Sequence, residues 1–390
     1  MTSLILGYGK TGKSVEKYFK KNDKKYCIFD DNLPNRNTFL DYGYENINEV
    51  IVSPGINPDH HIIKNAKSKK IKVTTDIEIF SELTNSKLIA VTGTNGKSSF
   101  VTILNELLIK RGFTSISAGN IGNSPLEILL DEVNYEYVVL ELSSFQIEYT
   151  SSLKLDSAVV LNIFPDHIDW HKSFNSYAMA KLKLFNFENN KNIRILGSVD
   201  NRLNNEIPKD VIRPSDTTTF EHSFLFDEFI NTLLLASEIY KIDKSDVLDM
   251  LNDVSISPHR FERFHTYNGI EFINDSKATN FKAVFEATKK ISNGLLILHG
   301  IDKNVELSNF KVSNNVKIVL FPNNMNVQKE SSEQTFIKYD SIFEISEIIK
   351  QNLNDIKTVL FSCGGASFND FDNYEDRGNF FKKTILKDFK

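Results

Sequence analysis

The chain has only two cysteines, Cys27 and Cys363, among 390 residues. That excludes the disulfide framework that small secreted domains need, and it fits a reducing compartment. No apolar run approaches the roughly 18 residues of a membrane-spanning helix, so no membrane partner is expected. Basic residues do not predominate either. Lys and Arg number 46 against 51 Asp and Glu, a net charge of −5, so the positive field of a nucleic-acid surface is missing. The opening "MTSLILGYGKTG" passes straight from a strand-like run into a glycine turn, so no signal peptide is expected. There is no internal repeat and no long low-complexity linker. These absences leave a globular protein expected in the cytoplasm; a monomer is the expected state.

What is present is an alternation of short apolar runs with amphipathic segments, the pattern of α/β layers built on parallel sheets. Strands are expected at 4–6, 26–29, 50–52 and 72–74, then at 88–92, 137–142 and 158–163, and finally at 271–273, 295–298, 316–321 and 358–361. A helix is expected over 12–20. Another follows the strand at 88–92; it places Phe100, Ile103, Leu104, Leu107 and Leu108 on one face and stops near Gly112. The three groups predict three domains, 1–86, 87–256 and 257–390.

Two glycine turns follow strands. Gly7-Tyr8-Gly9-Lys10-Thr11-Gly12 is a complete G-x-G-x-x-G between a strand and a helix, a turn that lets backbone N–H groups approach a diphosphate. Asp30, at the end of the next strand, stands where an acidic residue takes ribose hydroxyls. The motif suits NAD or a UDP-sugar equally, or a tight turn with no ligand. The second turn, in "LIAVTGTNGKSSF", ends Gly96-Lys97-Ser98 like a phosphate-binding loop, yet position 91, where the outer glycine belongs, is Val. Lys97 suits β/γ-phosphates, and Ser98 or Ser99 suits Mg²⁺.

Three further clusters carry chemistry. Glu141 follows the apolar "YVVL" and can be a Mg²⁺ carboxylate or an exposed strand end. Asp166, His167, Asp169 and His171 have a spacing open to a transition metal, to Mg²⁺ with one imidazole, or to a plain polar loop. Lys181 in "SYAMAKLKLF" lies on a helix in line with Tyr177 and Phe185, and composition alone reads it as a solvated lysine.

Taken together, "TGTNGKS", "GNIG" at Gly119–Gly122, "ELSSFQ" at Glu141–Gln146, "DHID" at Asp166–Asp169, "PHRFE" at Pro258–Glu262, "NDSKATN" at Asn274–Asn280 and "GGASFNDFDNYEDRG" at Gly364–Gly378 resemble, in order, the signatures of the Mur ligase family. The last two blocks are similar to those of its D-glutamate-adding branch, and the D-N-P-R motif of the diaminopimelate- or lysine-adding branch is absent. The resemblance implies a Rossmann-like N-terminal domain, a central P-loop ATPase domain with a parallel sheet, and a Rossmann-like C-terminal domain. It implies ATP-dependent amide synthesis through an acyl phosphate, joining D-glutamate to UDP-MurNAc-L-alanine. ATP and Mg²⁺ are the implied cofactors, with a CO₂-derived carbamate on Lys181.

The resemblance also assigns residues. ATP falls to Gly93, Thr94, Asn95, Gly96, Lys97, Ser98, Ser99, Asn231, Arg260 and Asp275. The UDP-sugar falls to Gly9, Lys10, Thr11, Asp30, Asp31, Ser53, Pro54, Gly55, Asn120 and Ser143. D-glutamate falls to Lys277, Thr279, Lys303, Ser367, Phe368 and Tyr374. The metal falls to Ser98, Glu141, His167 and the carbamate of Lys181; Lys97, Glu141, His167 and Lys181 form the catalytic set. The sequence departs from the family at Asp31 and Asn32, at Glu228, and at His299-Gly300, which replaces a double glycine. Competing readings are another Mur ligase or a folylpolyglutamate-type synthetase, which GYGKTG and NDSKATN weigh against. An NAD-dependent oxidoreductase would leave the C-terminal lysines unused. A catalytically dead regulator would not need Lys97, Glu141, His167 and Lys181 intact.

Overall fold

The computed structural model describes residues 2–39, 43–131, 133–215, 227–253, 258–301, 312–325 and 334–390. Three sheets organise them. The first comprises β1 (Thr2–Leu6), β2 (Tyr26–Phe29), β3 (Ile47–Val52) and β4 (Lys72–Thr74), all parallel in the order β2-β1-β3-β4. Its helices are α1 (Lys10–Lys21), α2 (His61–Ser68) and α3 (Asp76–Leu83). The second comprises β5 (Lys87–Thr92), β6 (Ser115–Gly119), β7 (Tyr137–Glu141), β8 (Lys154–Ile163) and β9 (Glu188–Val199), parallel in the order β6-β7-β5-β8-β9. With it come α4 (Lys97–Lys110), α5 (Pro125–Ile128), α6 (Ser144–Tyr149), α8 (Phe174–Leu182), α9 (Asp227–Ile239) and α10 (Lys244–Asp253); α7 (Ile168–His171) lies between α6 and α8 in the chain.

The third sheet has β10 (Glu262–Tyr267), β11 (Ile270–Asp275), β12 (Gly294–His299), β13 (Val316–Pro322), β14 (Thr335–Tyr339) and β15 (Thr358–Gly364) in the order β10-β11-β15-β12-β13-β14. Only β10 runs antiparallel to its neighbour. Its helices are α11 (Phe281–Lys289), α12 (Ile345–Gln351) and α13 (Tyr374–Asp388). By compactness the chain divides into two units. One holds the first two sheets; the other holds the third sheet together with Pro165–Phe174.

All the strands expected from apolar runs are present. The four not expected, β6, β9, β10 and β14, are the edge strands of the second and third sheets. A parallel strand buried on both faces needs a continuous apolar run, and an edge strand does not. β7 and β8 illustrate the first case, being buried throughout except at Lys154, and β10, "ERFHTY", with no fully buried residue, illustrates the second. The amphipathic face predicted for α4 is buried in full, and the helix ends before Gly112, whose φ is +99°.

The first two sheets are tied by polar contacts as well as by packing. Ser14 and Ser124 share a buried hydroxyl bond of 2.6 Å, Tyr149 Oη donates to the Ile56 carbonyl, and the Ser151 N–H donates to Glu78. Thr75 Oγ1 meets Thr150 Oγ1 at 3.1 Å and also caps α3. The two cysteines are buried in different sheets, Cys27 in β2 and Cys363 in β15. Burial pushes the Cys27 thiol up to about 12 and that of Cys363 up to about 11, which leaves neither as a thiolate.

One carboxylate here opposes folding. Asp76 opens α3, is 3% exposed, and its Oδ1 has no hydrogen-bond partner; neighbouring Thr74 Oγ1 has none either. Burial raises its carboxyl from 3.8 to about 6, against the pull of the Asp76 and Ile77 N–H groups. Below 3.8 the group is neutral folded and unfolded. Between 3.8 and about 6 only the unfolded chain ionises, so rising pH removes stability, and above 6 the loss is constant. Asp76→Asn is therefore expected to raise stability at pH 7.5 by on the order of 2–3 kcal/mol. The gain should vanish at pH 4, as read by denaturant unfolding of both proteins at the two pH values.

Candidate active site

β5 ends at Thr92, and Gly93–Gly96 turn the chain into α4. Val91 is a fully buried strand residue, so the outer glycine of a longer loop has no place here. The two glycines that remain are closely packed, and at Gly96 the backbone conformation also favours glycine. A Cβ on Gly93 would meet Leu161 at 3.0 Å, and Gly96 has φ +82° with the Phe229 ring 3.0 Å from where its Cβ would stand. The loop is held from β8. Asn162 accepts from the Thr94 N–H through its carbonyl (2.9 Å) and from the Asn95 N–H through Oδ1 (2.8 Å), and its amide donates to the Asn95 carbonyl (3.1 Å). The sequence reading passed over Asn162; its signal is a polar residue inside the otherwise apolar run "AVVLNI". Thr94 Oγ1 accepts from the Phe164 N–H and meets Tyr177 Oη at 3.0 Å.

Two lysines converge on this loop. Lys97 Nζ donates to the carbonyls of Gly93 (2.8 Å) and Thr94 (3.1 Å). Lys181, on α8, is 2% exposed and donates to the same Gly93 carbonyl at 2.9 Å and to Thr92 Oγ1 at 3.3 Å. Its Nζ lies 4.9 Å from the Tyr177 ring centroid. The solvated-lysine reading of Lys181 is thus corrected: its helix face packs against the strand end. Ser98 and Ser99 stand in the first turn of α4. Asn231, on α9, is nearly buried, and Phe229 of the same helix packs edge-on against Phe100.

The neighbouring strand end carries the carboxylate. Glu141 closes β7 and is 1% exposed, which removes the exposed strand-end alternative. Its Oε1 accepts from Asn120 Nδ2 at 2.9 Å, while Oε2 is buried with no hydrogen-bond partner. The Asn120 N–H donates to the Glu141 carbonyl, a geometry that needs Gly119 at φ +104°, since a Cβ there would lie 2.3 Å from that carbonyl. Thr92 Oγ1 donates to the Leu142 carbonyl, so β5 and β7 end side by side. Ser143 and Gln146 then form a capping box that starts α6.

The carboxyl edge of the first sheet collects the other glycine turn. The Tyr8 N–H donates to Asp30 Oδ2 (2.6 Å) and the Asn32 N–H to Oδ1 (2.9 Å), so Asp30 braces the Gly7–Gly12 turn. A Cβ on Gly12 would lie 2.2 Å from the Gly7 carbonyl. Ser53, followed by Pro54 and Gly55, donates from Oγ to the Gly7 carbonyl. Lys10, beside Gly9 and Thr11, reaches across to the Gly122 carbonyl (2.7 Å), and Asp31 Oδ2 pairs with His60 Nε2 at 3.0 Å.

The second unit holds the remaining candidates. His167 adopts φ +51° and its N–H donates to Asp166. Among the described residues no three His, Cys, Asp or Glu side chains gather as metal ligands. Asp275 is buried, accepting from the Phe261 N–H and from Ser362 Oγ. Burial raises its carboxyl to about 6, opposed by those two bonds and by Arg260. Lys277 Nζ stands 4.8 Å from the Tyr374 ring centroid. Thr279 lies two residues on, between Ala278, whose carbonyl accepts from the Gly364 N–H, and the α11 cap Asn280. Ser367 is buried and Phe368 is 74% exposed. Lys303 lies outside the described residues.

A residue to which no role was given in sequence ties this region together. Arg377 is fully buried and donates to the Ser276 hydroxyl and carbonyl and to the carbonyls of His299 and Gly365. Those acceptors are the ends of β11, β12 and β15.

Known proteins resemble this chain in sequence and in fold. A family model of the Mur ligase middle domain matches residues 91–231. A UDP-N-acetylmuramoylalanine–D-glutamate ligase of a Thermotoga species is 31% identical over 98% of this chain and 97% of the relative. The protein of that name from Buchnera aphidicola is 32% identical over 97% and 96%. Two solved structures share the fold. The UDP-N-acetylmuramate-alanine ligase MurC of Thermotoga maritima has a TM-score of 0.52 at 15% identity, covering 99% of this chain and 100% of its own. The MurF ligase of Thermotoga maritima in complex with ADP has a TM-score of 0.56 at 17% identity, covering 90% and 92%. With relatives above 30% identity along nearly its whole length, the chain belongs to the family of UDP-N-acetylmuramoylalanine–D-glutamate ligases.

Proposed function

We propose that this chain joins D-glutamate to the alanine carboxyl of UDP-MurNAc-L-alanine, converting ATP to ADP and phosphate, in peptidoglycan precursor synthesis. The observation that carries the reading is the convergence of Lys97 and Lys181 on the Gly93 carbonyl beside the buried Glu141. Two cations held together at a helix N-terminus favour a polyanion. Family membership narrows the polyanion to ATP and the acceptor to a carboxylate. In the first step a carboxylate oxygen bonds to the γ-phosphorus and the bond to ADP breaks. In the second the donor amine bonds to the acyl carbon, phosphate departs, and the amine gives up a proton. Lys97 draws phosphate charge, and the Gly93–Ser99 backbone and hydroxyls orient it.

The residues present fit a hard cation. Glu141 Oε2 is a buried carboxylate oxygen with no hydrogen-bond donor, and Ser98 supplies a hydroxyl in the first turn of α4. We assign Mg²⁺ to Ser98, Glu141 and His167, where it would neutralise charge between phosphate and carboxylate. We assign a carbamate to Lys181: adding CO₂ to its neutral amine, with loss of a proton, turns the second of two crowded cations into an anion. The UDP-sugar belongs to the carboxyl edge of the first sheet with Asn120 and Ser143. Adenosine contacts fall to Asn231, Arg260 and Asp275, and D-glutamate to Lys277, Thr279, Lys303, Ser367, Phe368 and Tyr374. The domains are 1–86 for UDP-sugar, 87–256 for ATP and 257–390 for the amino acid. Among the described residues no helix is long and apolar enough to cross a membrane, and we place the enzyme in the cytoplasm as a monomer.

ADP and phosphate should appear only when UDP-MurNAc-L-alanine, D-glutamate, ATP and Mg²⁺ are all present. Equal turnover with L-lysine or meso-diaminopimelate in place of D-glutamate would overturn the donor assignment. Lys181→Ala should lower kcat by on the order of a hundredfold or more, with bicarbonate or a short carboxylate restoring part of it; parental activity in that variant would remove Lys181 from the reaction.

A further inference from the structure

His299 ends β12, is 2% exposed, and has no part in the chemistry above. Its ring is enclosed by Tyr339, parallel at 6.5 Å, and by Phe371, edge-on at 5.8 Å. The protons around it can be counted. Tyr339 Oη gives its one proton to the Leu298 carbonyl at 2.6 Å. The 3.1 Å contact between Nδ1 and that oxygen is therefore donated by the ring. Burial and the nearby Arg377 push the imidazole down to about 3, so it is neutral and Nε2 carries a lone pair. That nitrogen is buried with no hydrogen bond and faces Asp370 Oδ2 at 3.4 Å. Two acceptors look at each other across a gap.

Asp370 and Phe371 belong to the same turn as Ser367 and Phe368. One end of the turn is fixed by the reciprocal pair Ile301 N–H to Ala366 carbonyl (2.9 Å) and Ala366 N–H to Ile301 carbonyl (3.1 Å). The turn closes on itself through the Phe371 N–H and the Ser367 carbonyl (3.1 Å). Its other end rests on His299.

We propose that His299 is a positioning residue for the amino-acid donor, the platform that sets the height of the Ser367–Phe371 turn through Asp370 and Phe371. This rests on the reading of Ser367 and Phe368 as donor contacts.

Steady-state kinetics with each substrate varied in turn, alongside thermal melting, tests it. His299→Gly should raise KM for D-glutamate roughly tenfold or more, each tenfold being about 1.4 kcal/mol, while KM for ATP and for UDP-MurNAc-L-alanine stays at the parental value. Asp370→Leu, which removes the carboxylate facing Nε2, should shift the same KM alone. Asp370→Asn, which offers Nε2 an N–H, should hold it at or below the parental value. An unchanged donor KM in both His299→Gly and Asp370→Leu, or a parallel rise of all three KM values, overturns the proposal. Should His299→Gly fail to fold, the two Asp370 variants decide. Ser367→Ala separates the two levels: an unmoved donor KM there sinks the donor-loop reading itself, whereas a raised one with silent His299 and Asp370 variants sinks only the role of His299.

Discussion

The Gly93 carbonyl oxygen accepts from two ammonium groups, and the first unit is arranged so that it can. Both side chains thereby gather at the N-terminus of α4, the end of a helix that favours an anion. Holding them there requires a backbone that cannot recoil. Asn162 supplies this by fixing both the N–H and the carbonyl of Asn95, and β8 carries Asn162 at its buried carboxyl end. Thr92 locks β5 to β7, which brings Glu141 to the neighbouring strand end. The hydrogen bonds of this one loop thus account for a polar residue in β8 and for a lysine buried on α8.

The second unit solves a different problem with one buried cation. Arg377 is removed from water, and a guanidinium in that position has to have its donors satisfied. It is satisfied by carbonyls and a hydroxyl at the ends of three strands. Parallel strands end in separate loops that nothing in the ladder joins, and Arg377 joins them. Gly300, at φ +119°, is forced by the same junction, because a Cβ there would lie 2.2 Å from the Ala366 carbonyl and 2.8 Å from the Arg377 guanidinium. The loops carrying Lys277 and Ser367 are therefore rigid at their roots. His299 adds its buried imidazole to that junction, with Nε2 facing Asp370 Oδ2 at 3.4 Å.

Asp30 was read as a ribose contact and Asp275 as an ATP contact, and both prove to be hydrogen-bonded within the protein. Asp30 braces the glycine turn, and Asp275 is clamped by Phe261 and Ser362. A carboxylate oxygen has two lone pairs, so bracing and ligand contact are compatible. The arrangement makes each aspartate part of the loop it serves.

How much of this was written in the sequence follows from burial. Strands covered on both faces, such as β5, β7 and β8, announce themselves as apolar runs, and the glycine turns announce themselves by residues that alone fit their φ values and close approaches. Edge strands such as β10 and β14 are half-wet and carry no such mark. The motifs by themselves determined the family and the fold. Only the tertiary structure decided that Lys181 is buried on the Gly93 carbonyl, that Asn162 holds the loop, that Arg377 ties three strands, and that His299 lies beneath the turn of Ser367. Each of these depends on partners between 12 and 101 residues away in the chain. A polar side chain reads alike in sequence whether water or a distant backbone carbonyl satisfies it, and the fold alone settles which.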